Sequence, residues 1–265
     1  MITEPVININ DIRAAIISGM KRGYDRGKLY LCIFEEGISA IPEYLLTVSV
    51  ADALYSNLNG SSLPYLQIGV EYPYIKFANQ AFPPFAYGDN IFQVIKREVI
   101  KRIKKKEKID IAILQGNGYE RRSLYGVEIK AINQRTDLIK SDLYRMADAI
   151  SRTDKVGESS LRACFVTFMA RFDKDSDYVF AENLEEKLKR KDRNVQTKLI
   201  EPLLKLFDSL DFSFERYKVD VATAEEEAQY WMPEITDDFS YSTKAVYVYL
   251  ITITRKKDNR IEISR

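Results

Sequence analysis

The sequence contains no histidine, and that absence removes a large share of active-site chemistry. Without imidazole there is no Ser-His-Asp triad, no Cys-His pair, no HExxH zinc site and no histidine proton shuttle. Acid-base work falls to carboxylates, lysine, tyrosine or water. Cysteine is scarce too: Cys32 and Cys164 are the only two, each inside an apolar run (LYLCIF and RACFVTF), which reads as two small buried hydrophobes. A reducing, cytoplasmic setting suits that usage. No apolar run is long enough to span a bilayer, and MITEPVININ lacks the layout of a signal peptide, so no membrane association is expected. Neither sign of charge is in excess, with 40 Lys and Arg against 39 Asp and Glu. Attraction to a polyanion would have to come from local clustering.

The chain's 265 residues, 46% hydrophobic and 30% charged, are ordinary for a globular protein and sufficient for one large domain. No repeat, low-complexity tract or linker divides it. Periodicity predicts a first clear helix over 42–58, with Pro42 in its first turn and Glu43 beside it, then a strand over 65–72. The aromatic and proline-rich stretch 72–90 reads as a long loop, its rings packing more readily than stacking on bases. A basic helix is expected over 91–107. Strands are expected over 109–114 and 124–132, joined as a hairpin through a turn containing Gly116-Asn117-Gly118. Next come a helix over 136–151 capped by Thr136, a strand over 163–170, a charged helix over 183–210, and strands over 212–221 and 245–255.

The chemistry concentrates in the hairpin. Side chains alternate faces along a strand, so Glu128 and Lys130 project from one side of GVEIKAI while Val127, Ile129 and Ala131 take the other. An antiparallel pairing closed through a turn centred near residue 119 sets Asp110 across from Glu128. Two carboxylates and a lysine converging on apolar strands are costly unless they pair or bind a metal. All-oxygen ligands select a hard cation, Mg²⁺ with Mn²⁺ as substitute. Such a site suits phosphodiester hydrolysis: the metal polarises the phosphate, and Lys130 positions or helps deprotonate the attacking water and stabilises developing charge. Read more plainly, the same residues are a same-face ion pair on an edge strand, and Glu43 a first-turn acid that a helix dipole favours.

The run KIDIAILQGNGYERRSLYGVEIK resembles the motif of the PD-(D/E)xK, or restriction-endonuclease-like, nuclease superfamily, with Asp110 as its Asp and Glu128-Ile129-Lys130 as its (D/E)xK. The order of elements over about 40–170 is similar to that family's αβββαβ core. Ile109 stands where the motif often carries Pro, and the segment 73–108 is a long insertion. The resemblance implies an α/β fold with a mixed sheet flanked by helices, and a metal-dependent DNA endonuclease of the restriction or defence kind. It also implies that Glu43, in the first core helix, joins Asp110 and Glu128 at the metal. Enzymes of this kind often cut both strands as dimers, so a homodimer is a further expectation. Residues 171–265 would extend the core. No GxGxxG follows a strand and RGYDRGKLY lacks P-loop spacing, so no organic cofactor is expected.

The polyanion-binding candidates adjoin the motif. Residues 91–108 carry eight basic against two acidic residues and lead directly into Asp110. From this run Lys101, Arg102, Lys104, Lys105, Lys106 and Lys108 are candidate phosphate contacts, and beyond the motif Arg135, Lys140 and Arg145. Gln134 would reach a phosphate or a metal-bound water. The later basic run, 187–198, is interleaved with acids and reads as a solvated helix face. Two other readings use the same residues: a catalytically idle nuclease-like domain that binds nucleic acid or a protein, and a structural protein with ordinary ion pairs.

Overall fold

Alternating β-branched and aromatic residues form the long strands of the computed structural model, which describes residues 7–31, 41–58, 65–81, 107–117, 121–154, 157–173, 180–222 and 244–256. In chain order these strands are β1 (Leu66–Pro73), β2 (Lys108–Gln115), β3 (Arg122–Ile132), the two-residue β4 (Thr153–Asp154) and β5 (Gly157–Glu158), β6 (Ala163–Asp173), β7 (Leu210–Ala222) and β8 (Lys244–Arg255). Six of them form one sheet in the order β1-β2-β3-β6-β8-β7, while β4 and β5 pair only with each other. Every pairing in the large sheet is antiparallel except β3 with β6. A parallel neighbour needs a crossover, supplied here by the helix after β3.

The sheet's alternation divides the core into two layers. Ile111, Ile113, Val127 and Ile129 pack with α1 (Ile9–Leu31) and α2 (Glu43–Leu58). Ala112, Leu114, Cys164, Val166 and Phe168 face the opposite layer, built from α3 (Tyr74–Asn79), α4 (Thr136–Ser151) and the segment after α5 (Phe180–Asn194). The protein is thus an α/β fold whose six-stranded mixed sheet is flanked by helices. Among the described residues no helix is long and apolar enough to cross a membrane.

Several expectations are corrected. Helix α1 precedes the helix expected to be first, and it lies so close to α2 that a Cβ on Gly19 would stand 2.4 Å from the Val50 Cα. Its glycines are the points of that contact. Within the expected loop, residues 74–79 form α3, with Tyr74 and Phe77 fully buried as packing rings. Thr136 is the first helical residue of α4, not its cap: Arg135 holds the cap position without a side-chain bond. The charged helix stops short of residue 210. It passes through a π-helical turn, Val195–Ile200, into α6 (Glu201–Leu204), where Pro202 has no N–H to give the preceding turn. Cys164 is fully buried. Cys32, residues 82–90 of the expected loop and residues 91–106 of the expected basic helix lie outside the described residues.

Candidate active site

The site forms where β2 stops pairing with β3. The ladder runs from Gln115↔Arg122 through a shift to Ile111↔Val127 and ends there, one step short of Asp110 and Glu128. The N–H of Ile129 then has no partner in β2, and Asp110 Oδ2 accepts it at 2.6 Å. Further along β3 the register with β6 jumps from Lys130↔Phe168 to Ile132↔Met169, leaving Ala131 outside the ladder. Its N–H is taken by Glu43 Oε2 at 3.4 Å. Two carboxylates from different elements thus satisfy two backbone donors that a regular sheet would have paired. After β3 the chain turns at Asn133, with a left-handed φ of 55°, and enters α4.

Glu128 and Lys130 both reach toward α4. The Lys130 ammonium is held by Glu43 Oε1 at 3.1 Å, Asp142 Oδ2 at 3.2 Å and the Ile129 carbonyl at 3.0 Å. The Asp142 contact is out of hydrogen-bond alignment, which leaves that oxygen paired by charge alone. Glu128, only 1% exposed, takes the Arg145 guanidinium on Oε1. Arg145 also donates to Asp142 Oδ1 at 2.7 Å, lies 3.8 Å from Glu107 and covers the Tyr74 ring at 5.7 Å. The Tyr74 hydroxyl returns a bond to the Arg145 carbonyl at 2.9 Å, fixing the turn that carries it.

Five carboxylates (Glu43, Glu107, Asp110, Glu128 and Asp142) therefore surround two cations. Burial raises the pKa of Asp110 against the lowering pull of the Ile129 N–H and Lys130. Burial and then the Asp110 charge raise Glu128 well above the ordinary carboxylate range, against Arg145. Desolvation pulls the Lys130 amine down, but Asp142, Asp110, Glu128 and Glu43 together outweigh it and raise its pKa. Lys130 is thus an ammonium at neutral pH. Protonation of either carboxyl would relieve the crowding of negative charge, and so would a bound dication.

The residues suit a hard dication in chemistry. Asp110 and Glu128 supply two carboxylates, as many as Mg²⁺ commonly takes while keeping its waters. Among the described residues no three Asp, Glu, His or Cys side chains stand together as a ready ligand set. Glu43 turns to Lys130 and Ala131, and Arg145 covers one oxygen of Glu128.

The phosphate-contact candidates are dispersed. Lys101, Arg102, Lys104, Lys105 and Lys106 lie outside the described residues. Exposed Lys108 pairs with Glu71 at 3.3 Å, and Arg135 with Asp137 at 2.7 Å. Gln134 is half-buried and Lys140 exposed. Arg145 is corrected outright: it points inward as the counter-ion of Glu128 and Asp142. Asp142, the residue that joins both cations, was missed. An aspartate among Ile139, Leu143 and Met146 on the buried stripe of α4 is the signal that could have found it.

Compared with protein-family models, with curated proteins and with solved structures, the chain matches none.

Proposed function

We propose that this chain has a restriction-endonuclease-like core and is a metal-dependent endonuclease that hydrolyses phosphodiester bonds of DNA in the cytoplasm, in a restriction or defence role. The observation that carries the reading is the junction at the open end of the β2–β3 ladder. There two carboxylates with raised pKa values, Asp110 and Glu128, stand beside a lysine held as an ammonium. The order α2-β1-α3-β2-β3-α4-β4-β5-β6, with β3 and β6 parallel, supports the αβββαβ assignment once the six-residue α3 and the separate β4–β5 pair are set aside as additions.

Asp110 and Glu128 would hold Mg²⁺ or Mn²⁺. When bound, the ion supplies Lewis-acid polarisation of the phosphoryl oxygen and a more acidic water. The chain's own part centres on Lys130. As an ammonium it is no proton acceptor; it orients the nucleophile by donating a hydrogen bond and neutralises charge growing on the phosphorane oxygens. Glu43 and Asp142 hold that ammonium in place, so Glu43 acts through Lys130 at least as much as through a metal. The test is cleavage of plasmid and single-stranded DNA with Mg²⁺, Mn²⁺ or EDTA. Metal-dependent nicking by the wild type, lost in Asp110→Ala and Lys130→Ala, is the expected result. A wild type inactive on both substrates, with no metal-induced rise in Tm, overturns it.

One observation favours a second reading. The Arg145–Glu128 pair neutralises the most buried carboxylate internally, as in an idle nuclease-like domain that binds nucleic acid or a protein without cutting. In that case DNA binding survives in Asp110→Ala and no metal promotes cleavage.

A further inference from the structure

One rung of the sheet links the candidate site to the part of the chain beyond the αβββαβ core. Lys130 of β3 is paired with Phe168 of β6, Phe168 with Tyr249 of β8, and Tyr249 with Arg216 of β7. Residues paired across a ladder share a face, so these four side chains stand in a row on the α4 side, at strand spacings of about 4.8 Å. Phe168 and Tyr249 stack with centroids 5.2 Å apart and planes at 4°. Above the row lies the last turn of α5. Its Asp192 accepts the Tyr249 hydroxyl at 3.0 Å and pairs with Arg216, which ties the helix end to the sheet.

That anchoring places Lys191. Its ammonium sits 5.6 Å from the centroid of the Phe168 ring, the immediate neighbour of Lys130 on the rung. It is half-buried and, among the described residues, has no carboxylate within ion-pair distance, unlike Lys130, which has two. Burial accordingly lowers its pKa. A desolvated ammonium without an anion, seated over the ring next to Lys130 on the same face of the sheet, is an open place for an added anion.

We propose that Lys191 is a phosphate-binding residue of the candidate active site, contributed by α5 and contacting a phosphodiester next to the one at Lys130. The assignment rests on the phosphodiesterase reading above. Lys191 contributes to substrate binding and not to bond cleavage, so its loss moves KM and leaves kcat. A cation in the last turn of a helix also complements the dipole, and that role alone would move stability without touching DNA.

The experiment measures binding of a fluorescently labelled DNA duplex by anisotropy, with Ca²⁺ in place of Mg²⁺, across a salt series, together with Mg²⁺-dependent cleavage kinetics. The proteins are wild type, Lys191→Gln, Lys191→Arg and the neighbouring exposed Lys189→Gln as control. One phosphate contact contributes about 0.9 to the salt slope, or roughly eightfold in affinity at about 0.1 M salt. The expected result is a slope lower by about one and a five- to tenfold rise in Kd and KM in Lys191→Gln. Lys191→Arg should restore both, and Lys189→Gln should resemble wild type. If wild type binds and cuts while Lys191→Gln keeps its slope and KM, the Lys191 assignment falls and the nuclease reading stands. If wild type neither binds nor cuts, the nuclease reading falls and takes this assignment with it.

Discussion

Replacing Arg145 by methionine keeps most of the aliphatic stem and removes the guanidinium that Glu128 and Asp142 share. Asp142 retains Lys130 at 3.2 Å, so the loss falls mainly on Glu128. With Glu128 only 1% exposed, the variant must leave a carboxylate uncompensated in the interior or protonate it. Removing one partner of a buried pair costs about 3–5 kcal/mol. Protonation limits that cost and gives it a pH dependence. Burial and Asp110 already raise the Glu128 pKa against Arg145, and loss of the guanidinium raises it further. A folded-state value above the unfolded one means that folding takes up a proton. Stability is then full below the unfolded value of about 4.3 and declines as pH rises toward the folded one, by at most about 1.4 kcal/mol per pH unit. Relative to wild type, Arg145→Met should lose about 3–4 kcal/mol at about pH 7.5 and roughly 1 kcal/mol at about pH 5. Urea unfolding followed by intrinsic fluorescence measures both. Adding Glu128→Gln, whose neutral amide needs no counter-ion, should recover most of the loss at the higher pH. A loss below about 0.5 kcal/mol at both pH values, or a double variant no more stable than Arg145→Met alone, would refute the assignment of Arg145 as the counter-ion of Glu128.

Two further outcomes follow from the same geometry. Because Asp110 and Glu128 have raised pKa values and, on the proposed reading, would bind a dication only after losing protons, Mn²⁺ should raise Tm more at about pH 8 than at about pH 6. Differential scanning calorimetry with Asp110→Asn as control checks this, and a shift that is independent of pH or unchanged in the control argues for binding elsewhere. Gly19→Ala places a methyl against the Val50 Cα at 2.4 Å, so α1 and α2 must separate. The gain of about 1 kcal/mol in helix propensity is outweighed by roughly 2–4 kcal/mol of overpacking, and a Tm equal to or above wild type would show that the two helices have slack.

What was legible in the chain and what was not divide along a physical line. Strand periodicity is a local geometric rule, so placing Glu128 and Lys130 on one face of GVEIKAI needed only the pleat, and the sheet keeps them there. The pairing of β2 with β3 followed from a short turn, and its register holds from Ile111↔Val127 to Ile113↔Tyr125 before it shifts. No helix was assigned over α1, which carries three glycines, Gly19, Gly23 and Gly27, residues that weaken a helix considered alone. They make sense only once α2 and the residues leading into it lie against them: a Cβ on Gly19 would stand 2.4 Å from Val50, one on Gly23 3.0 Å from Leu46 and one on Gly27 2.9 Å from Ile41.

Charge is the harder case. Arg145 and Lys140 have the same sign and lie in one helix, yet one is a half-buried counter-ion and the other meets solvent. Nothing in a list of charges separates them; their places relative to the apolar stripe of α4 do, since Arg145 follows Asp142 by three residues and Asp142 sits on that stripe. The same rule reaches Lys191. It belongs to a run that reads as solvated, and only the seating of Asp192 on Tyr249 and Arg216 turns it toward Phe168. Where a charged residue falls beside an apolar stripe, the stripe's phase foretells its partner better than the local density of charge does.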